Sequence, residues 1–387
     1  MNSSIALDSF HPEKADAAGV LSWIHIGDLH MTRRGEQNDL DLRAIVEDIN
    51  AVFAGSISFV YLPGDVADDG SRSAYGVVRE SLDRLKVPWC AILGDHDVHE
   101  KSFANFLNAM SQKTHYAFTA GGVRFIAMNA FDVPEPPSFT VLPKQLRWVE
   151  CQLADATERE QKKVLLLHCY PSDLKVGREE LIELIRKHDV TLIEMGHTHY
   201  NEIANDGRTI YAATRSTGQI EEGPVGFSVT NIDEGVVSWR FLELGALPAI
   251  VITSPSDDRL ITNLEEQDNT TKSTFRIRAK IWSRAQIQRV HASFERQQVE
   301  LQQVSGSSVW EATISTRGVP EGVYPLRVWA EDADGRKAQD TIRILLGAAD
   351  SSEKQRQERD QDNALAAWPE HGLLGTQLGP NKNGKKW

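Results

Sequence analysis

In five places a short apolar run ends in aspartate or histidine, and this recurrence constrains the fold more than any other feature of the chain. The segments are Gly27-Asp28-Leu29-His30, Gly64-Asp65, Gly94-Asp95-His96-Asp97, Leu167-His168 and Gly196-His197-Thr198-His199. The apolar runs before them read as strands, and helix-length amphipathic stretches lie between them, the signature of β-α-β units. Strands are predicted at 21–26, 57–62, 89–93, 123–128, 164–167 and 190–194, and helices at 39–53, 73–85, 143–154 and 178–187. Within 39–53, Leu42, Ile45, Val46, Ile49 and Phe53 share one face, so this helix should cover a sheet. After His199 the helical pattern stops, and 209–213, 226–231 and 236–244 read as further strands. The ends of strands in an α/β sheet form the crevice where ligands bind, which would gather the five segments in one place.

Past 245 the pattern changes to turns rich in Pro, Ser and Gly between strands of period two. Phe275, Ile277, Ala279 and Ile281 share a face, as do Trp310, Ala312 and Ile314, then Tyr324, Leu326, Val328 and Ala330, and finally Ile342 and Ile344. Such a stretch argues for an antiparallel sandwich, and its segments Pro248 to Pro255, Glu321 to Tyr324 and Ala330 to Gly335 resemble an immunoglobulin-like domain. A chain of 387 residues has room for this division: an N-terminal segment 1–19, an α/β unit 20–245, an all-β unit 246–347 and a tail 348–387. The tail opens with the charged stretch 351–362 and ends with Trp368, Leu373, Leu374, Leu378 and Trp387. Two tryptophans are costly to leave wet, so it should dock on one of the units or on a second subunit, giving a homo-oligomer through the all-β unit or the tail.

The chemistry of the five segments is that of a dinuclear metal site. Carboxylate oxygen and imidazole nitrogen without thiolate suit Zn, Mn or Fe. Residues i and i+2 of an extended loop point the same way, so Asp28 and His30 can face one ion, and His197 and His199 repeat that geometry. A carboxylate such as Asp65 has two oxygens and can bridge two ions ~3.5–4 Å apart.

The segments resemble the calcineurin-like metallophosphoesterase superfamily over 28–199, whose pattern is Asp-X-His, Gly-Asp, Gly-Asn-His-(Asp/Glu), His, Gly-His-X-His. The short third motif is most similar to the cyclic-nucleotide and glycerophosphodiester phosphodiesterase branch. Purple acid phosphatases carry a tyrosine three residues after the Gly-Asp aspartate, where this chain has Asp68. The resemblance implies an α/β metallophosphoesterase fold, a β-sandwich core flanked by helices, with two divalent ions. One ion would be held by Asp28, His30, Asp65 and His199, the other by Asp65, Asp95, His168 and His197. A hydroxide bridging the ions would attack phosphorus. His96 would stabilise the phosphoryl group or protonate the leaving oxygen, with Asp97 behind it to orient its ring. Asp95 stands where the family usually has asparagine, and is expected to remain a ligand rather than pair with Arg33 or Arg34.

The expected activity is hydrolysis of small phosphodiesters, cyclic nucleotides first, with phosphomonoester hydrolysis and a non-catalytic metal-binding scaffold as alternatives. A formal net charge of −13 is the wrong sign for a partner of long nucleic acid. No apolar run approaches the ~20 residues that cross a bilayer, and no secretory signal is visible in the polar start. Cys90, Cys151 and Cys169 are too few and too irregular for a disulfide framework, which points to reduced thiols in the cytoplasm. Neither a phosphate-binding Gly-x-x-x-x-Gly-Lys loop nor a Gly-x-Ser-x-Gly nucleophile elbow is present. Arg33, Arg34 and Arg72 could clamp phosphate but read equally as solvated; Tyr75, His99, His115 and Tyr170 could line the pocket or simply pack, and Trp148 reads as core.

Overall fold

A computed structural model describes residues 10, 12, 15–111, 113–135, 138–218, 223–262, 273–347 and 365–367. The first unit runs β1 (Leu21–His25), α1 (Gln37–Asp48), β2 (Phe59–Leu62), α2 (Arg72–Leu82), β3 (Trp89–Ala91), α3 (Ala104–Ala109), β4 (Tyr116–Ala120), β5 (Val123–Ala127) and α4 (Pro143–Glu158). It continues with β6 (Lys163–Leu166), α5 (Arg178–Lys187), β7 (Leu192–Met195), β8 (Glu202–Asn205), β9 (Ile210–Ala213), β10 (Gly226–Asp233) and β11 (Val236–Glu243). The second unit holds β12 (Ala249–Ser254), β13 (Thr274–Trp282), β14 (Ile287–Phe294), β15 (Gln297–Glu300), β16 (Gln302–Gln303), β17 (Val309–Ser315), β18 (Gly322–Asp332) and β19 (Lys337–Leu346), and the tail contributes β20 (Leu365–Ala367).

Two mixed sheets, ordered β11-β10-β1-β2-β3 and β20-β8-β9-β7-β6-β5-β4, make the first unit. The period-two alternation of β1 shows why they stack. Leu21 and Trp23 join Phe59, Phe125 and Val164 in a core fed by both sheets. Ile24 and Ile26 point the other way, into a second core with Leu42 and Ile45 of α1 and Val77 and Val78 of α2. Strands buried on both faces carry few polar residues, which is why they stand out as apolar runs. The predicted helix 39–53 is α1 followed by a π-helical turn, Ile49–Phe53, that the Ala54 N–H closes onto the Ile49 carbonyl at 2.9 Å. The elements β4, α3 and β8 of this unit, and β14, β15 and β16 of the second, go beyond the predicted set.

Beyond β11 the chain forms two antiparallel four-stranded sheets, β12-β13-β17-β16 and β15-β14-β18-β19. The face-sharing sets found in the sequence meet here, with Phe275, Ile277, Ala279, Ile281, Leu326, Val328 and Ala330 in one core. This unit docks through charge as much as through apolar contact. Lys280 Nζ, fully buried, donates to Ser22 Oγ at 2.8 Å and to the Ser56 carbonyl at 2.7 Å, and pairs with Asp16 at 2.9 Å. Arg278 pairs with Asp233, and Trp282 Nε1 donates to Ser56 Oγ at 2.6 Å. Ser22 and Ser56 lie near the starts of β1 and β2, whereas the ligand segments follow the ends of those strands. Among the described residues, the all-β sheets therefore brace the end of the first unit opposite the candidate site and do not cap that site.

From the tail, β20 adds to the edge of the second sheet, parallel to β8 with Leu365 opposite Ile203. The residues expected to dock, Trp368, Leu373, Leu374, Leu378 and Trp387, lie outside the described residues. Cys90, Cys151 and Cys169 are free thiols. Among the described residues no helix is long and apolar enough to cross a membrane.

Replacing Lys280 alone strands the buried Asp16 carboxylate, so Lys280→Met should cost about 3 kcal/mol in chemical unfolding. The pair Asp16→Asn, Lys280→Met should recover most of that loss. A single variant as stable as the parent would show that the buried ion pair does not hold the units together.

Candidate metal centre

All seven candidate ligands leave the C-terminal ends of parallel strands. Asp28 and His30 follow β1, Asp65 follows β2, Asp95 follows β3, His168 follows β6, and His197 and His199 follow β7. Because β1, β2 and β3 belong to one sheet and β6 and β7 to the other, the centre sits where the ends of the two sheets meet. Two clusters form there and share one residue. Asp28, His30, Asp65 and His199 make the first, and Asp65, Asp95, His168 and His197 the second, with the ligand-type atoms of each within 4.8 Å of one another. The shared atom is Asp65 Oδ2, 3.6 Å from His30 Nε2 and 3.5 Å from His168 Nε2.

Four of these residues have left-handed backbones: His30 (φ 41°), Asp65 (φ 48°), His197 (φ 66°) and His199 (φ 62°). Such conformations are uncommon outside glycine and persist where surrounding contacts enforce them. Those contacts are present. The His30 N–H donates to the Asp65 carbonyl at 2.8 Å, the His197 N–H to Asp28 Oδ2 at 2.7 Å and the His96 N–H to Asp65 Oδ1 at 2.9 Å. The Asp28 carbonyl accepts from Ser216 Oγ at 2.8 Å and from the Thr217 and Gly218 amides at 2.9 and 3.0 Å. Gly64 (φ +110°) and Gly94 are required by close approach. A Cβ on Gly64 would stand 2.6 Å from His168 Nδ1, and one on Gly94 would overlap Asp65 Oδ1.

The electrostatics fit cations. Burial, with Asp65 adding to it against the pull of His168, pushes the Asp28 carboxyl well above the usual carboxylate range. Burial, then the charge of His30, lowers His199 to about 3. Asp28 Oδ1 is buried with no hydrogen-bond donor among the described residues. Asp28 thus resists ionising and His199 resists protonation, and an ion that binds carboxylate and neutral imidazole together would offset both. The oxygen and nitrogen donors suit the divalent ions expected from the sequence.

Asp95 stays within the second cluster. Its Oδ1 lies 3.2 Å from His168 Nε2 and 3.3 Å from His197 Nδ1, and these partners hold its carboxyl well below the usual range against the opposing effect of burial. Arg33 pairs with Glu36 and Arg34 with Glu80 instead, while Arg72 donates to Asn105 Oδ1 at 3.0 Å. His99 donates to the Asp69 carbonyl, His115 packs on Trp148, and Tyr170 bonds Glu202.

The expected support of His96 by Asp97 is corrected by the structure. Asp97 is fully buried, and its carboxylate accepts from the Val66, Ala67 and Gly94 amides at 3.3, 3.2 and 3.0 Å and from the Tyr75 hydroxyl at 2.8 Å. It clamps the Asp65 and Asp95 loops together. His96 is backed by Asp68, whose carbonyl accepts from Nδ1 at 2.7 Å and whose Oδ1 lies 3.8 Å from the same nitrogen. Asp68 Oδ1 is also 3.4 Å from His30 Nδ1, so one residue steadies two imidazoles. The sequence holds a signal for this in the Asp65-Val66-Ala67-Asp68 spacing, which brings Asp68 back over the loop. Tyr75, which could have lined the pocket, is bound to Asp97.

Residues 22–201 match the calcineurin-like phosphoesterase family. A probable cyclic nucleotide phosphodiesterase of Fibrobacter succinogenes is 26% identical over 255 residues, covering 62% of this chain and 93% of that protein. The 3',5'-cyclic adenosine monophosphate phosphodiesterase of Escherichia coli K12 is 27% identical over 198 residues, covering 47% and 68%. A probable glycerophosphodiester phosphodiesterase of Arcobacter nitrofigilis is 24% identical over 197 residues, covering 46% and 71%. Among solved structures, a dimetal phosphatase from Danio rerio shares 16% identity with a TM-score of 0.49, covering 58% of this chain and 97% of that one.

Asp97→Ala separates a clamp from a catalytic partner of His96. As a clamp its loss leaves three buried amides without an acceptor, so the thermal midpoint and the metal content after dialysis against Mn should both fall. Unchanged stability and metal content with a loss confined to turnover would restore the catalytic role.

Proposed function

We propose that this chain, whose first unit is a calcineurin-like, metal-dependent hydrolase, cleaves small phosphodiesters, with cyclic nucleotides as the leading substrate class. The observation that carries this reading is the Asp65 carboxylate oxygen facing both ligand clusters, the arrangement that two-metal phosphoester hydrolysis needs. Asp28, His30, Asp65 and His199 would hold one divalent ion, and Asp65, Asp95, His168 and His197 the other, with Mn, Fe or Zn as candidates. Bound there, the ions supply Lewis-acid activation of the phosphoryl oxygens and of the attacking water.

The remaining work falls to the chain itself. The Asp68 carbonyl fixes the proton of His96 on Nδ1 and leaves Nε2 to face the phosphoryl group or the leaving oxygen. His96 is raised above an ordinary histidine, because Asp65 and the bond to Asp68 outweigh its burial, which suits proton donation to a leaving alkoxide. Asp97 and Asp68 hold the loops that carry these groups. The relatives named as cyclic nucleotide phosphodiesterases support the diester assignment. The face-sharing pattern of the all-β sheets supports an immunoglobulin-like identity for them, and three free thiols support a reducing, cytoplasmic setting.

With Mn present, the protein should hydrolyse bis-p-nitrophenyl phosphate and 3',5'-cyclic AMP faster than p-nitrophenyl phosphate. A strong monoester preference would overturn the diester assignment. In that assay Asp95→Asn, which removes one negative charge from the second cluster, should keep both ions and shift the pH profile of turnover. An identical profile and metal content would make the aspartate a neutral variation.

A further inference from the structure

The two clusters are supported differently. In the first, Asp68 Oδ1 lies 3.4 Å from His30 Nδ1, and the Asn38 side chain donates to the His30 backbone carbonyl at 2.6 Å. In the second, His168 donates from Nδ1 to the Pro63 carbonyl at 2.7 Å, which aims Nε2 at Asp65 and Asp95. His197 has no such tie. It presents Nδ1 to Asp95, its backbone is left-handed, and among the described residues no hydrogen bond holds its far nitrogen. Its ring meets Phe139, at 4.8 Å between centroids and 82° between planes, and more distantly His168 of the same cluster, at 5.4 Å and 63°.

Phe139 is itself held rigidly. It is 6% exposed, its carbonyl accepts from the Lys175 amide at 2.9 Å, and the next amide, on Thr140, donates to the Ala130 carbonyl at 2.6 Å. Phe131 packs on it at 5.2 Å, and both phenyl rings stand 6.4 Å from the ring of His168. An aromatic wall thus lines the second cluster, while His30 of the first packs on His199 and on His96.

We propose that Phe139 is a positioning residue for His197, which fixes by an edge-on ring contact the orientation that a hydrogen bond fixes for His168. The inference rests on the reading that Asp65, Asp95, His168 and His197 hold an ion. An imidazole that ligates through Nδ1 must keep its ring plane directed at the ion, and rotation about its side-chain bonds is what a perpendicular neighbour prevents. The apolar wall also keeps water from that side of the cluster, which strengthens ligation by lowering the local dielectric. Loss of Phe139 should therefore weaken the second ion and spare the first.

The test is equilibrium titration of the full chain with Mn, read as ions bound per chain and as the electron paramagnetic resonance signal of an exchange-coupled pair. Phe139→Leu keeps the apolar volume and so the fold, and Phe139→Ala removes the wall. One of the two Mn dissociation constants should rise about 10- to 100-fold in Phe139→Ala and by less in Phe139→Leu, with the coupled signal lost in proportion and the other constant unchanged. A general loosening of the fold would weaken both ions together, and that outcome overturns the positioning role, as does an unchanged pair of constants in Phe139→Leu. A parent protein that binds a single Mn overturns the dinuclear reading itself, and this inference with it.

Discussion

The site depends on the Asp65 carboxylate standing where the strand ends of two sheets meet. One oxygen accepts the His96 amide, and the other faces an imidazole from each cluster. The residue can occupy that point only in a left-handed backbone, and three further ligand residues share the same conformation. Together these four cost the fold on the order of 4 kcal/mol or more relative to ordinary backbones. The Asp97 clamp, the donors on the Asp28 carbonyl and the glycine contacts at positions 64 and 94 hold the loops in that shape. Support of this kind is needed because a metal centre tolerates little displacement of its ligands.

How much of this was legible in the sequence follows from the range of each interaction. The doubly buried parallel strands wrote themselves as apolar runs, and the ligands stood out because aspartate and histidine directly after such runs are seldom there for packing. The period-two faces of β13, β17, β18 and β19 were equally local and equally visible, whereas β14, β15 and β16 were not predicted. Elements whose reason lies elsewhere in the chain were not. The strand β8 is a short Glu-Ile-Ala-Asn stretch that pairs antiparallel with β9, and β4 is Tyr-Ala-Phe-Thr-Ala, an ordinary pattern made a strand by pairing with β5. At the site, the expectation for Asp97 rested on its nearness to His96 in the chain, yet its side chain turns inward to amides of the preceding loop. Asp68 took the role instead because the turn after Asp65 folds its carbonyl back over His96. Phe139 carried no signal at all, since its partner His197 lies on a different strand end and a lone phenylalanine reads as core.

The acidic balance of the chain bears on this centre through linkage rather than through surface charge. Asp28, Asp65 and Asp95 are close together, and burial opposes the ionisation of each. Folding the ligand loops without cations therefore leaves carboxylates and imidazoles arranged at the expense of their solvation. Divalent ions that bind only the native arrangement offset this, and the stability of the loops must then rise with free metal concentration. Two dications would bring four positive charges to the three ligating carboxylates Asp28, Asp65 and Asp95, on a protein that is negative overall. A small phosphoester can approach such a site and meet the ions before it meets the surrounding surface. On the proposed reading, the capacity to act on phosphate thus arises from ions held against these same carboxylates.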